Sequence, residues 1–160
     1  MPMFSFTLVQ KIEGSAEEIS GRVADEVKRD PHLPAVKALG RDEIAGRARG
    51  LIENLGVWLT ARDAEVQNWS EPLGRKRFEQ SIPVHELVRS LQILEGGIIA
   101  FARDHMPGSA LQIYAEEELQ YRVNRFFNQV IFYVVRGYES ALKEALAGNG
   151  LAASAAKGSS

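Results

Sequence analysis

The sequence predicts an all-α bundle of about five helices closed by a long C-terminal helix, with a globin-like arrangement as one form of it. Three observations carry this. Leu87, Leu91, Leu94, Ile98 and Phe101 recur at steps of four, three, four and three, the seam of a helix packed at a shallow angle on its neighbours. Ser15-Ala16-Glu17-Glu18 and Ser109-Ala110-Leu111-Gln112 have the capping-box pattern, in which the serine accepts from the third helical N–H and the fourth residue reaches back. Finally, Leu119, Val123, Phe126, Val130, Val134 and Tyr138 form a stripe that Phe127, Ile131 and Val135 widen. A helix apolar over so much of its surface is central to a fold or shared with a second chain.

Taken in order, residues 1–15 read as an N-terminal arm, either extended or a helix docked on the bundle. Phe4, Phe6 and Leu8 alternate, but an isolated strand has nothing to pair with. The first firm helix starts near Ala16 and runs to about Arg29, with Ile19, Val23 and Val27 along one stripe. Asp30-Pro31 ends it, because the residue before proline avoids helical angles. Asp42 can cap a second long helix over 43–62, whose apolar face runs from Ile44 through Leu51, Ile52 and Leu55 to Leu59. Gly46, Gly50 and Gly56 each weaken that helix by roughly 1 kcal/mol relative to alanine, and a close neighbouring helix would account for them. A weaker helix covers 64–80, interrupted near Glu71-Pro72. Pro83 falls in the first turn of the next, where its missing N–H costs nothing, and Met106-Pro107-Gly108 stops that helix. The last helix runs from Ala110 to about Ala147, about 55 Å if unbroken. The segment 148–160 is rich in Ala, Gly and Ser and reads as a flexible tail, leaving 16–147 as the helical domain.

With 160 residues the chain fits one domain. It is 45% hydrophobic and 25% charged with a net charge of −2, so no basic excess is present to hold nucleic acid. The absence of cysteine excludes disulfides, thiolate metal sites and cysteine nucleophiles. Residues 1–10 have neither a basic region nor a cleavage site of secretory type, and no apolar run reaches the ~18 residues of a membrane span. A soluble, cytoplasmic protein is expected.

Reactive constellations are sparse. His85 lies in a helix first turn beside Glu86, as a pH sensor or ligand contact or as an exposed polar residue. His105 sits at a helix C-terminus, where the dipole favours it, and His32 in a Pro-flanked turn. Haem ligation by His85 or His105 is the version a globin-like bundle would use. Glu116-Glu117-Glu118 could hold a cation or form a solvated face. Arg75-Lys76-Arg77 could meet a phosphate. No metal-binding, phosphate-loop or nucleophile motif occurs, so no catalytic or metal residues are assigned, no cofactor is called for, and the chain reads as non-enzymatic. Asn124, Asn128 and Gln129 interrupt the most apolar helix. They would either fix register between packed helices or subunits or line a small ligand cavity. The face formed by Phe126, Phe127, Val130, Ile131, Val134 and Tyr138 is the expected homodimer interface.

The segment Leu73–Phe101, with Arg75, Phe78, Ile82-Pro83, Glu86-Leu87-Val88 and Leu91, resembles the N-terminal domain of RsbRD-type regulators, paralogues of the RsbT co-antagonists of bacterial stress-response complexes. The helix from Phe126 to Glu139, with Arg136-Gly137-Tyr138-Glu139, and the helix over 19–30 extend that resemblance to roughly 16–142. It implies an all-helical sensory or regulatory domain, dimeric, acting through an output module or partner protein. It assigns no catalytic or ligand residues. The alternative from another class is a globin-like sensor of haem or a small ligand.

Overall fold

Helices α1 (Met3–Gly14), α2 (Ala16–Arg29), α3 (Pro34–Lys37) and α4 (Arg41–Glu53) form the first half of the chain. Helices α5 (Leu55–Leu59), α6 (Asp63–Glu79), α7 (Val84–Asp104) and α8 (Ala110–Gly158) form the second. The computed structural model describes residues 3–105 and 108–158, with side chains over 6–105 and 108–149. Among these residues there is no strand, and no helix is long and apolar enough to cross a membrane. The all-α class stands, with eight helices in place of about five.

The differences have local causes. The expected arm is α1, and Leu8, Val9 and Ile12 are buried in the core. Ser15 does not form the capping box, since no side-chain bond caps α2. Instead its N–H donates to the Ile12 carbonyl at 3.0 Å in a tight joint between α1 and α2. The single helix expected over 43–62 is two, divided at Asn54, whose side-chain amide donates to the Gly50 carbonyl and so competes with the helical ladder. Gly40 has φ of 86°, a left-handed angle that glycine adopts without strain, and it occupies the N-cap of α4 in place of Asp42. Pro72 sits inside an unbroken α6. Pro83 is the N-cap of α7, one residue before its first turn.

Other expectations match the structure. Ser109 and Gln112 form the reciprocal capping box: the Gln112 N–H donates to the Ser109 hydroxyl at 3.3 Å and the Ser109 N–H to Gln112 Oε1 at 3.2 Å. The seam of α7 is buried at Leu87, Leu91, Leu94, Ile98 and Phe101. Helix α8 is the central rod. Its contact with α6 is the most extensive between any two helices, and α1, α5 and α7 also pack on it. Past Ala141, residues 142–149 are all exposed, while the backbone stays helical to Gly158. Of the tail expected over 148–160, the backbone is helical to Gly158, and 159–160 lie outside the described residues.

The six residues expected at a subunit interface belong to the core of this chain. Phe126, Phe127, Val130 and Val134 are at most 2% exposed. Ile131 packs against the same core, and Tyr138 meets the Phe78 ring edge-on at 5.4 Å. The reason is close approach of two backbones. A Cβ on Gly137 would fall 2.8 Å from the Glu71 carbonyl carbon, and one on Gly74 would fall 2.9 Å from the Tyr138 nitrogen. The absence of both Cβ atoms lets α6 lie directly on α8 around Val134 and Tyr138, while Trp58 of α5 stacks on Phe126 at 5.9 Å. In contrast, a Cβ at Gly46 or Gly50 would meet nothing within 4 Å, so close packing does not explain those glycines. Gly56 does face a neighbour, α1, through Glu13 and Val9.

Candidate functional site

A cavity of about 250 Å³ lies between α2, α4, α6 and α7, with α3 and the α6–α7 turn at its rim. Its wall is aliphatic: Val23 and Val27 from α2, Ile44, Ala48 and Leu51 from α4, and Leu87, Leu91 and Leu94 from α7. Each of these is buried. Helix α6 contributes Trp69, Leu73 and Arg77, which follow at four-residue steps and therefore share one face.

Arg77 is the exceptional member of this wall. The residue is 9% exposed. Its guanidinium donates to Gln80 Oε1 at 2.8 Å, and among the described residues no carboxylate lies within ion-pair distance of it. Burial, and secondarily the charge of Arg47, pushes its pKa down to about 10, with Glu43 opposing. Arg47 also lines the cavity but is already paired with Glu43 at 2.6 Å. None of the lining residues is acidic. The site therefore joins an apolar volume to one buried cation that lacks a counter-ion.

Two backbone devices hold this wall in place. At the end of α6 the Ser81 N–H donates to the Phe78 carbonyl at 2.9 Å, and the Ile82 N–H to the Arg77 carbonyl at 3.1 Å. This is the paired-bond helix ending that needs a left-handed residue, and Ser81 supplies it at φ of 60°. The turn delivers Ile82 into the cavity wall beside Arg77. The second device is Glu86, which is 1% exposed. Its carboxylate accepts from the N–H groups of Ala35 at 2.9 Å and Val36 at 3.1 Å, the free donors at the start of α3. A buried carboxylate on α7 thereby holds the rim residue Val36. Nearby, Asp30 accepts from the His32 N–H and the Arg89 guanidinium, and these bonds hold its carboxyl below the ordinary value.

The other sequence candidates lie elsewhere. His85 and His32 are exposed. His105 stacks on Phe101 with centroids 3.9 Å apart, and its Nδ1 is 2.9 Å from the Phe101 carbonyl. None of the three borders the cavity. Glu116, Glu117 and Glu118 are not gathered on a cation site, and among the described residues no group of three His, Cys, Asp or Glu could hold a metal. Asn124 and Asn128 face outward, bonded to Glu95 and to each other. Gln129 and Tyr133 both donate to Asp63, fastening the first turn of α6 to α8.

Of the Arg75-Lys76-Arg77 run expected to meet a phosphate, only Arg77 lines the cavity, and neither that placement nor the part played by Glu86 is among the expectations drawn from the sequence. The signal for Arg77 was present in the Trp69, Leu73, Arg77 spacing, which sets a cation on an apolar face. Glu86 gave no comparable signal, because its partners lie about fifty residues away. No protein-family model, curated protein or solved structure matches this chain.

Proposed function

We propose that this chain is a non-enzymatic sensory or regulatory domain in which occupancy of the α2–α4–α6–α7 cavity alters the seating of α6 on α8. The observation that carries the reading is the double role of α6. One side lines the cavity through Trp69, Leu73 and Arg77, and another meets the backbone of α8 through Gly74. Helix α8 contributes nothing to the cavity wall, so a message reaches it through the lining helices that pack on it, α6 most extensively and α7 next. Backbone contact without intervening side chains leaves little slack, since packed interiors shift between discrete arrangements rather than deform smoothly. The resemblance to RsbRD-type N-terminal domains agrees with this role, and a bacterial cytoplasmic setting goes with it.

The output side of the proposal is the outward edge of α8, which would pair with a second copy. Tyr121, Asn128, Val135 and Leu142 recur every seven residues, with Phe132 and Leu146 four residues after Asn128 and Leu142. Tyr121 is 66% exposed and Phe132 60%. That repeat is the one by which two helices pair in a supercoil, where a lone asparagine at a seam position fixes register. The small-ligand version of the globin-like alternative shares the cavity and is contained in this reading. The haem version is less well supported, because neither His85 nor His105 borders the cavity.

Ala48→Leu tests the coupling. Ala48 lines the cavity, and the larger side chain would partly fill it. Amide hydrogen exchange along residues 110–147 is expected to change although α8 does not touch the substitution. Exchange that changes in α4, α6 and α7 but not in α8 would overturn the coupling.

A further inference from the structure

We infer that the occupant of the cavity is a small apolar monocarboxylate whose carboxylate binds Arg77; this rests on the reading of the cavity as a ligand site. Burying a cation without a counter-ion is costly, and Arg77 sits among aliphatic residues with one neutral partner, Gln80. Arg47, itself paired with Glu43, adds a second positive charge nearby. An entering anion would supply what Arg77 lacks, and a guanidinium suits a carboxylate because its fork can donate two parallel bonds.

Size and shape narrow the class. A cavity of about 150 Å³ accommodates benzene, six non-hydrogen atoms. By that measure the ~250 Å³ here admits about ten, the size of an eight-carbon carboxylate. The wall away from Arg77 offers aliphatic carbon from three helices, while Ser90 commits its hydroxyl to the Glu86 carbonyl at 2.8 Å. Recognition of the ligand body is therefore apolar, with one charged anchor. A helix or strand of a partner protein is too wide for this space, and a phosphate alone would leave the aliphatic wall unfilled.

Three probes of matched length decide the matter: sodium octanoate, 1-octanol and octylammonium chloride, titrated against the full chain by calorimetry and by the fluorescence of Trp69 in the cavity wall and its neighbour Trp58. Octanoate is expected to bind at least tenfold more tightly than octanol, and octylammonium not at all. Arg77→Met should remove the preference for octanoate over octanol while octanol binding persists. Ala48→Phe, which fills the cavity and keeps Arg77, should abolish both. If octanol and octanoate bind equally to the unaltered chain, the carboxylate assignment is overturned and the cavity reading survives. If none of the three binds at millimolar concentration, both are overturned. The comparison on the unaltered protein decides the outcome even where Arg77→Met fails to fold.

Discussion

Gly74 of α6 rests on the backbone of Val134 in α8, with the Val134 carbonyl oxygen nearest to the place a Cβ would occupy. Both sides of this contact are main chain, so neither can rotate aside. Gly74→Ala is expected to destabilise the fold by about 3 kcal/mol, the upper part of the range for overpacking a core. Gly46→Ala, where a Cβ meets nothing, should instead stabilise by about 0.5–1 kcal/mol through helix propensity. Urea unfolding of the two variants, read as opposite shifts in midpoint, checks the pair. A Gly74→Ala variant as stable as the parent would mean that α6 and α8 do not meet backbone to backbone.

Ser81 pays a conformational penalty that glycine would not. Its φ of 60° costs a side-chain-bearing residue about 1–2 kcal/mol. Ser81→Gly is expected to raise stability by about 1 kcal/mol, while preserving the Ile82-to-Arg77 bond that shapes the cavity rim. Thermal unfolding checks it, with a rise of about 2–4 °C expected for a domain of this size.

Asp30 makes stability depend on pH in a defined direction. Its folded carboxyl is held below the ordinary value, chiefly by the His32 N–H and then by Arg89. Above the ordinary value of about 3.9 both folded and unfolded states are ionised, and the full stabilisation is present. As pH falls through that value the unfolded state takes the proton first, so stability declines and is lost through the folded pKa. Asp30→Asn should lower the urea midpoint at pH 7, and the gap from the parent should narrow at pH 3. An equal gap at both pH values would show that the carboxylate charge contributes nothing.

Phe127 and Phe132 separate the core of α8 from its outer edge. Phe127 is fully buried and Phe132 is 60% exposed. Phe127→Glu is expected to cost about 3–5 kcal/mol, from lost packing and a buried charge. Phe132→Glu should leave the helical circular dichroism signal and unfolding midpoint nearly unchanged and convert a dimer to monomer in sedimentation equilibrium. A dimer that persists in Phe132→Glu would eliminate the outer edge of α8 as the contact between copies.

The helical class, the α7 seam and the Ser109 cap were legible because each is written within a few neighbouring residues. The wide apolar face of α8 was legible as well, but its partner was not. Sequence spacing shows that Phe126, Phe127, Val130 and Val134 must be covered; it does not say whether α6 or another chain covers them. The deciding feature is the pairing of Gly74 with α8 and Gly137 with Glu71, a relation between positions some sixty residues apart. The cavity was hidden for the same reason. Arg77 looks like one of three basic surface residues until α6 is placed against α2, α4 and α7, after which Arg75 turns outward to Glu144 and Arg77 turns in. Likewise Glu86 reads as an ordinary first-turn acid, and only the fold brings Ala35 and Val36 to it.

Helix α1 packs on α8 and also on α5, α4, α2 and α7. Leu8, Val9 and Ile12 can therefore begin to be covered by α2, α4 and α5, with Val9 against Gly56, and their cover is completed only when α7 and α8 join. Contacts between distant parts of a chain form after local ones, so the pairing of α1 with α2, α4 and α5 can precede its locking by α8.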